Sequence, residues 1–483
     1  MLLLLPILLP VIGGIFVFRL KTERLRNRTA LSLAGVTAAL ALLLCILPEQ
    51  TLDLLTIQGP LCLSLRNDGM ARFFMGVISL IWVPVEVFSL PYLKHAGGER
   101  QFLAIYTMTQ GILMGLAMAR NFVTLYMFFE MMSMLTMPLV LHNGTPSARR
   151  AGFQYLGYSV FGAGIALAGF FFLTYYQAAT DFAAGGTLNA ALAAEHRQLL
   201  LTVWLLMIIG FGAKAGMMPM QAWLPAAHPV APAPASAVLS GVITKGGVLA
   251  IIRVTYYMFG PEFLAGSWAQ EALVVLALAT VFVGSMLALR EQLFKKRLAY
   301  STVSQVSYVL FGILLLTPEG LEGALLQVVF HALAKDTLFL AAGAIILSTN
   351  FSRVDQLRGI GQRMPVTTWC FTLASLSLIG IPPMSGFVSK WYLASAALEN
   401  GIPWAGAAGV TVLILSALLT AGYLLPIVAD GFFPGTDFIA ERKEVGLGMT
   451  VPMGIFAVLT LVLGVFPGPL QSLIRTLCAG MFS

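Results

Sequence analysis

Four lysines, Lys214, Lys245, Lys335 and Lys390, sit inside stretches that are otherwise apolar. A lysine at the centre of a membrane-spanning helix costs about 2.5–3.5 kcal/mol on insertion scales, so four together cost on the order of 10 kcal/mol. A passive apolar scaffold has no use for them. An ammonium held away from water can release a proton and take up another, so the four read as stations of a row, as a proton or cation path requires.

Other titratable residues extend the row. Glu130 lies midway through NFVTLYMFFEMMSMLTMPLVL. A carboxylate in such a place either finds an opposite charge or takes a proton, because desolvation disfavours its charged form. Lys214 is its natural partner, and a coupled pair can be switched by one proton or by a neighbouring charge. The plain alternative is a structural ion pair between two helices. Lys245, in ASAVLSGVITKGGVLAIIRV, is about ten residues from either end of its stretch, too deep for easy snorkelling. It stands to receive a proton from Lys214, directly or through water. His331 and Lys335 are four apart in FHALAKDTLFL and share a helix face. Histidine titrates near neutrality and suits a relay, although a packing role is equally open. Asp336 points about 100° away around the same helix. It would pair with another helix, tune Lys335 or hold a cation. Lys390 follows the break GIPPMSG, either as the terminal station or as a clamp on carbonyls that the break frees.

A second tier is accessory. Ser301, Ser304, Gln305 and Tyr308 recur at i, i+3, i+4 and i+7 in LAYSTVSQVSYVL. They would order waters or bond helix to helix. Glu86, near Pro84, is a further intramembrane acid, a coupling residue or a structural partner. His228, in AAHPVAPAP, reads as part of a proline-stiffened loop. There it is either a solvated histidine, the plainer reading, or a gate on the inside.

Positioning such residues requires helices in a membrane. Hydrophobic residues are 58% of the 483 and charged residues 10%, with mean hydropathy +0.88; soluble domains carry about 25% charge. The net charge of +7 forms no continuous basic patch, which argues against nucleic acid. The four cysteines make no CxxC and no Cys/His cluster, so neither a metal nor an iron–sulfur site is expected. No phosphate-cradling loop or nucleophile elbow is present, so no redox, hydrolytic or nucleotide site is expected in this chain. MLLLLPILLP lacks a basic n-region and a cleavage site, and reads as a first span.

Apolar periods predict an all-α polytopic membrane protein with about fourteen spans, centred near 2–19, 29–48, 72–93, 102–119, 122–142, 152–176, 200–222, 235–258, 271–289, 298–316, 324–347, 366–399, 405–430 and 450–470. The whole chain, 1–483, is one membrane domain. With the N-terminus outside, eighteen Lys and Arg fall inside and six outside, the expected bias. GFGAKAGMMPMQAWLP and GIPPMSGFVSKW break spans seven and twelve with glycine, proline and a lysine. Such paired breaks point to inverted repeats with the site at the breaks. Spans four to eight (102–258) would form one repeat and spans nine to thirteen (271–430) the other, with 1–93 and 450–483 flanking.

The segments FFEMMS, GAKAGMMPMQAWLPAAHPVAPAPASAVLSGVITKGGV, YSTVSQVSY, HALAKDTLFLAAG and GIPPMSGFVSKW, in that order, resemble one family. It comprises the antiporter-like membrane subunits of respiratory complex I, membrane-bound hydrogenases and Mrp-type sodium/proton antiporters. The resemblance covers most of spans five to twelve. It implies fourteen core helices with broken helices seven and twelve, and a hydrophilic axis of Glu130, Lys214, Lys245, His331/Lys335 and Lys390. Along that axis H+ moves, driven by redox chemistry in partner subunits or exchanged for Na+. The lysine at 390, the short tail after span fourteen and Asp336 beside Lys335 lean toward the Mrp-D-like or hydrogenase-associated branch.

The expectation is therefore a proton-translocating subunit of a multi-subunit complex in a prokaryotic cell membrane. Its partners would be homologous antiporter-like subunits, small hydrophobic subunits and a soluble redox arm. The alternatives are an Mrp-D-like component of a multisubunit Na+/H+ antiporter, and a scaffold that anchors a soluble enzyme.

Overall fold

The computed structural model describes residues 1–58, 61–435 and 441–482. The chain begins with α1 (Leu5–Arg19) and α2 (Glu23–Ile46), then an antiparallel hairpin of β1 (Thr51–Gln58) and β2 (Leu61–Arg66). Next come α3 (Gly69–Ala96), α4 (Glu99–Ala117), α5 (Phe122–Leu141), α6 (Pro146–Tyr176), α7 (Arg197–Ala215) and the short α8 (Trp223–Val230). The second half holds α9 (Ala233–Phe259), α10 (Trp268–Arg290), α11 (Phe294–Leu314), α12 (Pro318–Thr349), α13 (Pro365–Ile379), α14 (Ser385–Glu399), α15 (Pro403–Phe432), α16 (Leu447–Val465) and α17 (Gly468–Ala479).

Eleven helices among the described residues are long and apolar enough to cross a membrane. The expected spans at 102–119 and 298–316 are helical, as α4 and α11, but are not among the eleven. Polar residues dilute them: α11 alone carries Lys295, Lys296, Arg297 and a run of Ser, Thr and Gln. The expected twelfth span is two helices of 15 residues, α13 and α14. The hairpin lies where a plain loop was expected. It is tied to the bundle by Arg66 N donating to Met118 O at 2.7 Å and by a bridge between Leu65 and Ala119.

Local chemistry explains where several helices begin. Asp68, Asn121, Thr145, Ser267 and Thr317 each accept a first-turn N–H on the helix that follows, answering amides the helix cannot satisfy itself. Asp68 also holds Arg253 through two bonds of 2.7 and 2.8 Å. Burial alone would raise the Asp68 carboxyl; the guanidinium wins and holds it below its usual range.

α9 and α12 form the centre: their most apolar stretches are 100% and 94% buried within the chain. Helices buried all round need no polar stripe toward solvent, so any polar residue on them has an interior purpose. Outer helices turn side chains such as Phe161 on α6 and Leu418 on α15 outward, as a lipid-facing surface requires.

Both predicted breaks are present. α7 stops at Gly216, whose φ of +81° only glycine adopts freely. The indole N–H of Trp223 donates to the stranded Ala213 carbonyl at 2.7 Å. α13 stops at Gly380, with φ +93°. There Lys390 Nζ donates to Leu378 O at 2.6 Å and to Ile379 O at 2.8 Å. Each break thus keeps its freed backbone groups satisfied inside protein, the condition for irregular backbone at membrane depth.

Candidate ion path

At the α5 end, Lys214 Nζ donates to Ser133 Oγ at 2.9 Å, to Ser159 Oγ at 3.3 Å and to the Tyr155 hydroxyl. Ser133 lies one turn beyond Glu130 on α5. Among the described residues no hydrogen bond or ion pair joins Glu130 to Lys214. The Glu130 carboxylate lies within electrostatic reach of the ammonium, beside the Tyr126 hydroxyl. The expected pair is thus a near-pair, with the ammonium held by hydroxyls instead of by the carboxylate.

α9 passes close to this group. A Cβ on Gly247 would sit 3.1 Å from Lys214 Cβ, so glycine is what lets the two helices touch. Lys245 lies two residues earlier. Around it α9 widens to π geometry at Leu239–Ile243, which shifts carbonyls off their usual amide partners. One of them, Ser240 O, accepts from Lys245 Nζ at 2.5 Å. The same Nζ lies 2.6 Å from His331 Nδ1 on α12.

α12 carries the rest of the row as a stripe. Gln327, His331 and Lys335 fall at i, i+4 and i+8, one face of the helix. Lys335 Nζ donates to Leu298 O at 2.9 Å and to Ser301 Oγ. Gln327 accepts from Ser389 at 2.6 Å and donates to Gln305 at 3.0 Å. Ser389 precedes Lys390, so the stripe leads to the second break. Among the described residues, His331 Nε2 and Gln305 Nε2 are buried without a partner.

The face of α11 divides. Ser301 serves Lys335, Gln305 serves Gln327, and Tyr308 lies under Lys390, its ring centroid 5.1 Å from Nζ. Ser304 turns away and bonds Ser285 at 2.8 Å and Ser416 at 3.2 Å, a helix-to-helix contact. Glu86 and Asp336 are fully buried, and among the described residues all four of their carboxyl oxygens are unpartnered. Both lie within electrostatic reach of Tyr106, and Asp336 also of Lys245. Asp336 fills the space that a side chain on Gly241 would need.

His228 requires a correction. It is not a solvated loop residue: it sits in the last turn of α8, fully buried, stacked on Phe339 at 4.5 Å with both ring nitrogens unpartnered. Lys335 Nζ lies 5.9 Å from the centre of the same Phe339 ring. Lys295, one of the eighteen basic residues assigned to the inside, is also buried, and it donates to Ala231 O at the end of α8. His228 is within electrostatic reach of both Lys295 and Lys335. Lys295 and Gln327, with the hydroxyls of Ser133, Tyr155, Ser159 and Ser389, belong to this network and were not singled out by the sequence. Among the described residues no group of His, Cys, Asp or Glu could hold a metal ion.

The family model described as NADH:quinone oxidoreductase/Mrp antiporter, TM matches residues 119–416, more than half the chain. The chain belongs to this family. It is an antiporter-like, multi-span membrane subunit of the kind found in complex I, Mrp antiporters and membrane-bound hydrogenases. It is 30% identical over 431 residues to NADH-quinone oxidoreductase subunit N of Desulforudis audaxviator, covering 84% of this chain and 83% of that one. It is 27% identical to the D component of the Na(+)/H(+) antiporter of Bacillus subtilis, over 95% of this chain and 93% of that one. Hydrogenase-4 component B of Escherichia coli is 34% identical, over 68% of this chain and half of its own length. The fold matches a chain of the Mrp complex from Dietzia sp. DQ12-45-1b with TM-score 0.86 at 23% identity, covering 100% and 97% of the two chains. It matches a chain of respiratory complex I from Thermus thermophilus with TM-score 0.82 at 23% identity, covering 99% of each. Both neighbours are chains of membrane complexes with further subunits.

Proposed function

We propose that this chain is the proton-translocating subunit of a multi-subunit membrane complex, and that protons move along Glu130, Lys214, Lys245, His331, Lys335 and Lys390. The observation that carries this reading is the 2.6 Å contact between Lys245 and His331, which joins the two central helices through two exchangeable nitrogens. Glu130 and Lys214 act as the switch pair. A charge moved in a partner subunit changes their attraction, and the altered field drives a proton toward Lys245. His331 passes it along the α12 stripe, and Lys390 exchanges it at the second break. Lys295 and His228 give Lys335 a connection to the face where α8 ends.

The same reading counts α4, α11 and the broken pair α13/α14 as crossings with the eleven long helices, which makes fourteen. It places the N-terminus outside, with inverted repeats at 102–258 and 271–430 and flanking helices at 1–93 and 450–483. The energy comes from redox chemistry in partner subunits. Two features favour a second reading, in which the chain is an Mrp-D-like part of a Na+/H+ antiporter: the near-complete coverage of such a relative and the acid at 336.

The test is ion pumping by the intact complex in proteoliposomes, wild type against Lys214→Ala. Redox turnover that acidifies one side, and is lost in the variant, supports the first reading. Exchange that needs only a sodium gradient moves the chain to the second. Full activity in the variant rejects both.

A further inference from the structure

A cleft of about 1050 Å³ opens between α2, α3 and α17, on the face of the bundle that carries the hairpin. Its walls are apolar, with Gly76, Val77 and Leu80 of α3 facing Leu473 and Leu477 of α17. Its mouth is charged. Arg253 is satisfied by Asp68, and Arg66 touches Asp68 at 3.3 Å and Glu49 at 3.7 Å. Arg72 donates to Leu47 O at 2.8 Å and, among the described residues, has no carboxylate partner. Counting Arg253, which does not itself line the cleft but occupies Asp68, three guanidinium groups share two carboxylates, which leaves a surplus positive charge beside an apolar slot.

Depth identifies the occupant. From Asp68 to Leu80, α3 descends about 18 Å at 1.5 Å per residue. Half of a hydrocarbon core roughly 30 Å thick is about 15 Å. The cleft is therefore one leaflet deep: right for acyl chains under a headgroup, and too short for a spanning helix.

We propose that the cleft holds one phospholipid, its phosphate on Arg72 and Arg66 and its acyl chains along α3 and α17. Val77 lines both the cleft and a void of about 10 Å³ that reaches Lys245, a volume at the lower limit for one water. Val329, two residues before His331, also lines the cleft. Acyl chains there keep bulk water from the centre of the row; this consequence rests on the ion-path reading, while the lipid site itself does not.

The test is lipid retention by the purified complex, read by native mass spectrometry after a detergent wash, in wild type, Gly76→Phe and Arg72→Gln. A Cβ at Gly76 meets nothing within 4 Å, and Gly76 lines the cleft, so the added side chain starts into open space there. The expected result is one phospholipid retained by the wild-type chain and lost from both variants, with unchanged melting temperatures. Exchange into phosphatidylethanolamine or phosphatidylglycerol vesicles then identifies the headgroup that is retained. Equal retention in Gly76→Phe, or none in wild type, overturns the proposal. So does labelling of Gly76→Cys by a charged, water-soluble maleimide, which marks a water-filled cleft, or its cross-linking to another subunit. This variant keeps the test open if Gly76→Phe fails to fold. Retention is read without transport, so its failure leaves the ion path untouched, and the reverse holds as well.

Discussion

Lys245 Nζ and His331 Nδ1 are 2.6 Å apart, and both are buried. At that distance one nitrogen must offer a lone pair to the other's proton. With Lys245 as donor, the histidine carries its own hydrogen on Nε2, which has no protein partner. On the proposed path, a proton accepted at Nδ1 would be matched by one leaving from Nε2, and the ring would pass protons across α12. Lys245→Ala and His331→Ala should each slow proton transport by about tenfold or more, equivalent to about 1.4 kcal/mol. The double variant should be no worse than the singles, because residues acting as one unit are not additive. Transport in proteoliposomes measures this, and additive losses would reject a shared step.

Gly241 and Asp336 face each other as a backbone and a carboxyl. A Cβ at 241 would lie 2.2 Å from Asp336 Oδ1, closer than atoms can approach. Gly241→Ala should therefore destabilise the protein by about 1–3 kcal/mol through overpacking. Adding Asp336→Ala removes the carboxyl and should restore most of the melting temperature. If the double variant melts as low as Gly241→Ala alone, the clash is not with Asp336.

Asp68 gives a pH dependence outside the spans. Its carboxyl is held below its ordinary value of about 3.9 by Arg253, so the native state holds the carboxylate form more tightly than the unfolded chain does. The stabilisation is complete above about pH 4 and is lost as pH falls through the lowered folded value. Asp68→Asn keeps the cap acceptor but loses the charge. Its melting temperature should fall well below wild type near pH 6, and the gap should narrow on acidification below about pH 4. A gap that does not depend on pH would show that the charge contributes nothing.

Residue type and spacing made much of this legible. A lysine in an apolar run can be read directly, as can the i+4 pairing of His331 with Lys335. Glycine with proline marked both breaks, and each is present. Other features depend on contacts between distant segments. Lys295 stands beside Lys296 and Arg297, so it reads as an interface charge; it is buried because it reaches the end of α8, more than sixty residues earlier in the chain. His228 precedes Pro229 and reads as loop, yet both lie in α8, which ends one residue after the proline because proline cannot continue a helix. Glu130 and Lys214 read as a direct pair because opposite charges are the simplest match. Packing put Ser133 and Tyr155 on the ammonium instead.

Gln327 is the member of the stripe that only the structure singled out. It is buried one turn before His331, with its carbonyl on Ser389 and its amide on Gln305. It cannot hold a proton near neutrality, but it fixes the groups between His331 and the second break. Gln327→Leu keeps the volume close, strands the Gln305 carbonyl at about 1–3 kcal/mol for a buried polar group left unsatisfied, and leaves Ser389 only its weaker bond to Gly386 O. Gln327→Glu keeps the acceptor for Ser389. Transport should fall in the leucine variant by more than its loss of stability explains, and the glutamate variant should recover part of it. The decisive comparison is transport per folded complex at one temperature below both melting transitions. Equal transport by wild type and Gln327→Leu would remove Gln327 from the path and leave His331 connected to Lys390 by some other route.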